Sequence, residues 1–238
     1  MNETVALLAG ETTDTSRHRP IRSFVVRAGR MSPKQERGLT EGMARHGIAY
    51  ACELLDFTKT FSRNAPTIME IGFGMGTTTA EIAAAHADSN YLAVEVHPPG
   101  VGSLCNLLDD QLLVNVKVIQ HDAVEVLNDM IAPGSLAGIH IYFPDPWHKA
   151  RHNKRRLVQP PLVALLASRL AATGYLHLAT DWVPYAEHML EVLSAEPLLK
   201  NTSIDYAPRP SWRPETKFER RGLKLGHEVR DLLFTTRG

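Results

Sequence analysis

Residues Thr67-Ile-Met-Glu-Ile71, Gly72-Phe-Gly-Met-Gly76 and Thr77 to Ala85 follow one another without a break. They read as a short apolar strand, a turn with glycine at every second position, and an alanine-rich helix. A strand, a glycine turn and a helix in that order form the first unit of a doubly wound α/β fold. The alternation then repeats. Strands are expected at Tyr91–Val96, Val116–Gln120, a run ending in Gly138–Ile141, and Tyr175–Ala179. Helices are expected at Val101–Asp110, Val124–Ile131, Pro160–Ala172 with Gly174 as C-cap, and Pro184–Ala195. Asn201–Tyr206 and Asp231–Thr236 make two last strands. The expectation is one mostly parallel seven-stranded sheet with helices on both faces.

Upstream, Ser32 and Pro33 suit the cap and first turn of a helix. Before that, Arg17 to Arg37 holds seven Lys/Arg against one acid, Glu36, around a short apolar centre, Phe24-Val-Val26. It reads as an arm that contacts an acidic partner or as a solvated terminus. The first sixteen residues are polar and aperiodic, so residues 1–37 are taken as a flexible basic arm and 38–238 as the folded domain.

The chain has 238 residues, 44% of them hydrophobic and 22% charged, enough for a full core in a globular protein. No apolar run is long enough for a transmembrane helix, and no signal peptide is recognisable. Two cysteines, Cys52 and Cys105, suit reduced thiols in a cytoplasmic protein. Acids and bases balance at 26 each, yet the bases cluster. Local basic patches on a neutral chain favour salt-sensitive contact with nucleic acid.

In doubly wound folds, ligands bind beyond the carboxyl ends of the strands. Glu70 precedes the glycine turn, and Glu95, Asp122, Asp145 and Asp181 fall at or just past strand ends. Each alone is more often a cap or a solvated turn; five in phase point to a site. A nicotinamide-type turn would carry its third glycine at position 77, where Thr77 stands. In Gly72, Gly74 and Gly76 the backbone can approach a ligand closely. Glu70 would repel a pyrophosphate but suits an ammonium group, and Glu95 stands where a ribose-binding acid is expected. A ligand with a ribose, an amino-acid part and no phosphate fits: S-adenosylmethionine.

The fourth strand leads into Tyr142-Phe-Pro-Asp-Pro-Trp-His-Lys149. Pro144 and Pro146 disfavour helix at the residues before them, so Phe143 and Asp145 are expected to be extended. Asp145 lies between Phe143 and Trp147, and Lys149, Arg151, Lys154, Arg155 and Arg156 follow with no acid among them. A carboxylate, flat rings and a run of cations suit a nucleobase and its phosphates. A tight surface loop with Trp147 as a core anchor is the plainer alternative. His148 and His152 are four apart, but the adjacent cations and the lack of a third ligand argue against a metal. Cys105 has no neighbouring catalytic partner and reads as a structural thiol.

The segments Ile21-Arg-Ser-Phe24, Glu70–Gly76, Glu95-Val-His-Pro-Pro-Gly-Val-Gly102, His121-Asp-Ala123, Tyr142–Arg156, Asp181 and Thr216-Lys-Phe-Glu-Arg-Arg-Gly222 together resemble the bacterial tRNA (guanine-N7)-methyltransferases. That family modifies a variable-loop guanosine, conventional tRNA position 46. The 142–156 run is the most family-specific piece. The resemblance implies a single-domain Rossmann-like class I S-adenosylmethionine-dependent methyltransferase acting on tRNA. It implies cofactor contacts from Glu70, Gly72, Gly74, Gly76, Glu95, Asp122 and Asp145, with Asp145 as the catalytic residue. Lys149, Asp181, Thr216, Lys217, Phe218 and Glu219 would hold the substrate, and Arg151, Lys154, Arg155 and Arg156 would lie along the RNA. The alternatives are a non-catalytic RNA-binding protein on the same fold and a methyltransferase for another nucleobase atom. Oligomeric state is left open between monomer and homodimer.

Overall fold

The computed structural model describes residues 30–216, Glu219 and residues 228–237. Most of the expected basic arm, residues 1–29, lies outside the described residues, as do Lys217 and Phe218. Among the described residues one sheet holds β1 (Thr67–Ile71), β2 (Asn90–Val94), β3 (Val116–Ile119), β4 (Leu136–Tyr142), β5 (Leu170–Thr180), β6 (Leu199–Asn201) and β7 (Arg230–Thr236). The strand order is β3-β2-β1-β4-β5-β7-β6. Only β7 runs against its neighbours. Three short helices, α1 (Pro33–Arg37), α2 (Met43–His46) and α3 (Phe57–Phe61), precede the sheet. The helices α4 (Thr77–Ala85), α5 (Pro98–Asp110), α6 (Ala123–Asp129), α7 (Pro160–Arg169) and α8 (Val183–Ala195) connect its strands. The expected mostly parallel, seven-stranded α/β architecture is the observed one.

Side chains alternate across a strand, so each strand serves two faces. Met69 and Ile71 of β1 join one core with Val126, Leu166 and Met189 of α6, α7 and α8. Ile68 joins the other, with Ala80 and Ile82 of α4 and Leu104 of α5. Burial of a side chain such as Met69 or Leu92, both 0% exposed, contributes on the order of 2 kcal/mol each.

Helix α1 is closed by a capping box. The Ser32 hydroxyl accepts from the Gln35 backbone at 3.3 Å, and Gln35 Oε1 accepts from the Ser32 backbone at 2.9 Å. A π-helical turn, Gly38–Gly42, joins α1 to α2 and packs on α5 through backbone. A Cβ on Gly38 would meet the Gly102 carbonyl at 2.0 Å, and one on Gly42 would meet Cys105 Cβ at 2.5 Å. Residues 33–37, grouped with the arm in the sequence reading, are thus helical and seated against the sheet's own helix layer.

Two element ends differ from expectation. Helix α7 stops at Arg169, and Leu170 is already extended at ψ 140°. Gly174 therefore sits inside β5 instead of capping a helix. There the β4–β5 register shifts between Leu136 and Gly138, and a Cβ on Gly174 would stand 3.0 Å from the Leu136 carbonyl. Strand β6 ends at Asn201 instead of continuing to Tyr206. The Asn201 side chain accepts from the Ser203 backbone and donates to the Asp205 carbonyl, turning the chain away from the sheet.

Candidate active site

The strand order reverses between β1 and β4, with β2 and β3 on one side and β5 on the other. A cavity of about 320 Å³ opens at that switch point, outside the carboxyl ends of β1 to β4. The glycine turn forms its rim. Gly72 and Gly74 have φ of 74° and 58°, and a Cβ at either would meet nothing within 4 Å. Left-handed backbone is what glycine supplies here, and the open space beside it is room for a ligand. Gly76, also left-handed, is pressed against Leu104 and packs α4 to α5 instead of facing the cavity.

The carboxylates divide by role. Glu95 accepts three backbone N–H groups: Gly74 at 3.0 Å, Val96 at 2.7 Å and His97 at 3.0 Å. These bonds fix it in the cavity wall while lone pairs remain for ligand hydroxyls. Asp122 caps α6, its Oδ1 accepting from the Val124 backbone at 2.9 Å. Glu70 does not line the cavity. It is 3% exposed, below the turn, with Oε2 buried and unpartnered. Burial pushes its carboxyl up to about 7, and the Glu95 charge adds to the effect. Among the described residues no Lys or Arg lines this cavity. The donor set suits a cationic ligand that carries hydroxyls and no phosphate.

A second cleft adjoins the first. His97 and Asp145 line both. Beyond them the second cleft is walled by Trp147, Lys149, His152 and Arg155. Asp145 is exposed at the junction. Phe143, expected to be extended, is instead left-handed at φ 49°, and Trp147 is left-handed at 47°. The Phe143 N–H donates to the Ala179 carbonyl at 2.7 Å, which carries sheet bonding past the end of β4 and turns the next residues out. Trp147 belongs to neither core cluster. Arg155 lies over its ring at 5.2 Å and His152 meets it edge-on, so it is a wall of the cleft. Partial desolvation and the charges of Arg151, Arg155, Lys149 and Lys154 hold His152 below its usual pKa. His148 packs edge-on against Trp182.

One expected contact is placed elsewhere. Arg156, expected along the RNA, is 6% exposed; it donates to the carbonyls of Pro146 and Pro184 and lies 4.9 Å over the Tyr185 ring. It anchors the loop from within and is withdrawn from the surface. Arg151 and Lys154 are exposed. Asp181 is half-buried and lines neither cleft. Thr216 and Glu219 bond each other reciprocally, and the Glu219 carboxylate is held by Arg213 at 2.6 and 3.0 Å.

Other residues at the site had no role in the sequence reading. His97 sits in the motif after Glu95, but only the fold brings it against Asp145's loop. His121 lines the cavity and stacks on Tyr50 at 3.7 Å, and Tyr50 in turn bonds Asp129. That pairing spans three chain segments and has no local sequence signal.

A family model described as "Putative methyltransferase" matches residues 64–232. The chain is 64% identical over 220 residues to a tRNA (guanine-N(7)-)-methyltransferase of Burkholderia cenocepacia, covering 92% of this chain and 86% of that one. It is 60% identical over 233 residues to the protein of the same description from Paraburkholderia xenovorans, covering 97% and 90%. Among solved structures it is similar to the 16S rRNA methyltransferase KamB, with TM-score 0.57, 14% identity, and coverage of 78% of this chain and 95% of that one. At that identity the likeness concerns the fold.

Proposed function

The chain belongs to the tRNA (guanine-N(7)-)-methyltransferases, and from that premise we propose that it methylates N7 of a variable-loop guanosine, position 46, in cytoplasmic tRNA. Its cofactor is S-adenosylmethionine, which supplies a methyl group carried on a sulfonium. The donor set fits that molecule. Glu95 would take the ribose hydroxyls, Asp122 the base edge, and Glu70 the ammonium end from below the glycine turn.

Guanine N7 carries a free lone pair, so no proton need leave before attack. The protein's task is alignment of N7 with the methyl group and stabilisation of the charge the base gains. Asp145 supports both. It stands where the cofactor cavity and the second cleft meet, and that placement is the observation carrying this reading. Its carboxylate would accept from guanine N–H groups, orienting the ring and offsetting its new positive charge. Trp147 offers a face for stacking. Lys149 and Arg155 in the cleft, with Arg151 and Lys154 outside it, would take the phosphates. Asp181 and the Thr216–Glu219 segment, with Lys217 and Phe218, would hold the rest of the substrate. Among the described residues no helix is long and apolar enough to cross a membrane.

The test is methyl transfer from labelled S-adenosylmethionine to unmodified tRNA, followed by mapping of the modified nucleoside. The expected product is 7-methylguanosine in the variable loop. Any other methylated nucleoside overturns the assignment of the base cleft. Asp145→Asn should slow the single-turnover rate by about 100-fold, and an unchanged rate would remove Asp145 from the mechanism.

A further inference from the structure

Beneath the loop that follows β4 runs a buried chain of polar groups, of which the proposed mechanism uses only the segment that carries Glu219. Arg213 is 1% exposed, and all three of its guanidinium nitrogens are bonded. Nε and one terminal nitrogen donate to the two Asp231 oxygens at 2.7 and 2.8 Å. The terminal nitrogens donate to the two Glu219 oxygens at 2.6 and 3.0 Å. Asp231 Oδ1 is also 2.8 Å from His177 Nε2, and His177 Nδ1 is 3.0 Å from the Tyr142 hydroxyl. Tyr142 immediately precedes Phe143. The Arg213 guanidinium stands 6.0 Å from the Phe143 ring centre. Four segments thus meet in one chain of contacts: the end of β4, strand β5, strand β7, and residues 213–216 with Glu219.

We propose that Arg213 is a positioning residue for methyl transfer. Its guanidinium docks Thr216 and Glu219 on the sheet and braces the Phe143 ring, fixing the conformation from which Asp145 reaches the junction of the two clefts. The inference rests on the reading of the Asp145 loop as the reacting loop.

The backbone supplies the reason a brace is needed. A phenylalanine at φ 49° is in a sparsely populated conformation that persists only where its surroundings hold it. One hydrogen bond holds its N–H, and the ring is packed between the apolar cluster of α4 and α5 and the Arg213 face. A planar fork is required for the rest. It meets two carboxylates bidentately while presenting a flat face to a ring, which an ammonium cannot do. The clamp also ties the Thr216–Glu219 segment to the loop bearing Asp145, so both parts of the substrate site share one anchor.

The experiment is a rate cycle with Arg213→Lys, Phe143→Leu and the double variant. Single-turnover methyl transfer is read at saturating cofactor and tRNA, well below each melting temperature. Lysine keeps the buried charge but loses the fork. Arg213→Lys is expected to bind S-adenosylhomocysteine within about threefold of wild type yet transfer the methyl group about 10- to 100-fold more slowly. Phe143→Leu should be similarly slow, and the double variant no slower than the slower single one, because both act on one element. A wild-type rate for Arg213→Lys, or rate losses that multiply in the double variant, overturns the proposal. If Arg213→Lys does not fold, Asp231→Asn weakens the same clamp and is read in the same cycle. Asp145→Asn is run alongside. If it is slow while Arg213→Lys is not, only this inference fails; if it turns over at the wild-type rate, the loop reading fails with it.

Discussion

Glu70 provides a pH-dependent signature of the cofactor site that needs no substrate. In the free protein its carboxyl titrates at about 7 instead of the ordinary 4.5, because burial removes its water and Glu95 adds repulsion. The folded state therefore keeps a proton that the unfolded chain has already released. Below the unfolded value the group costs nothing. The cost grows as pH rises and levels off above the folded value. The rise from 4.5 to about 7 corresponds to roughly 3 kcal/mol at the plateau. Glu70→Gln preserves the shape and removes the titration. Urea unfolding of both proteins, without cofactor, at steps from about pH 4 to about pH 8 lets every other titrating group cancel in the difference. The two should be nearly equal in stability at the acid end. The variant should gain on the wild type through the neutral range, reaching roughly 2–3 kcal/mol at the alkaline end. A gap independent of pH would falsify the reasoning, because it would mean that Glu70 is ionised or solvated alike in both states.

Three further outcomes follow from the geometry. Gly74→Ala places a Cβ in open space but at φ 58°, so thermal unfolding should show a loss of about 1–2 kcal/mol from backbone strain, with weaker binding of S-adenosylhomocysteine by calorimetry. Arg156→Met should lower the melting temperature and leave the salt slope of tRNA binding unchanged, whereas Arg151→Ala and Lys154→Ala should each lower that slope by about 1 at constant stability. The Cys105 thiol is buried and pushed up to about 11, while Cys52 is exposed, so iodoacetamide followed by mass mapping should label Cys52 alone in the folded protein.

The pattern of apolar runs made the sheet legible because a doubly covered parallel sheet demands continuous hydrophobic strands. Glycines 72 and 74 marked the first turn, since a left-handed backbone beside open space leaves few other residue choices, and Gly76 is held to glycine by its contact with Leu104. The acids after the strands were legible because a parallel topology puts the carboxyl ends of β1 to β5 on one rim. What sequence could not show was which side of the surface a residue occupies. Arg156 belongs to a basic run, yet two carbonyls and a tyrosine ring claim it. Glu219 was expected at the substrate, yet Arg213, six residues earlier in the chain, holds it. Phe143 precedes a proline and by local preference would be extended; sheet bonding to Ala179 and packing on both sides of the ring override that preference. The end of α7 was misjudged because Gly174 resembles a cap, and only the irregular pairing with β4 gives it another use.

The two clefts differ in how they are built, and the difference bears on how such enzymes diverge. The cofactor cavity is assembled from the ends of four strands, so altering it means altering the frame of the domain. Among the described residues the second cleft is drawn almost wholly from the loop after one strand, with His97 its one contribution from outside. A lineage can therefore rewrite what it modifies by exchanging one connection while the inherited methyl-donor chemistry stays in place.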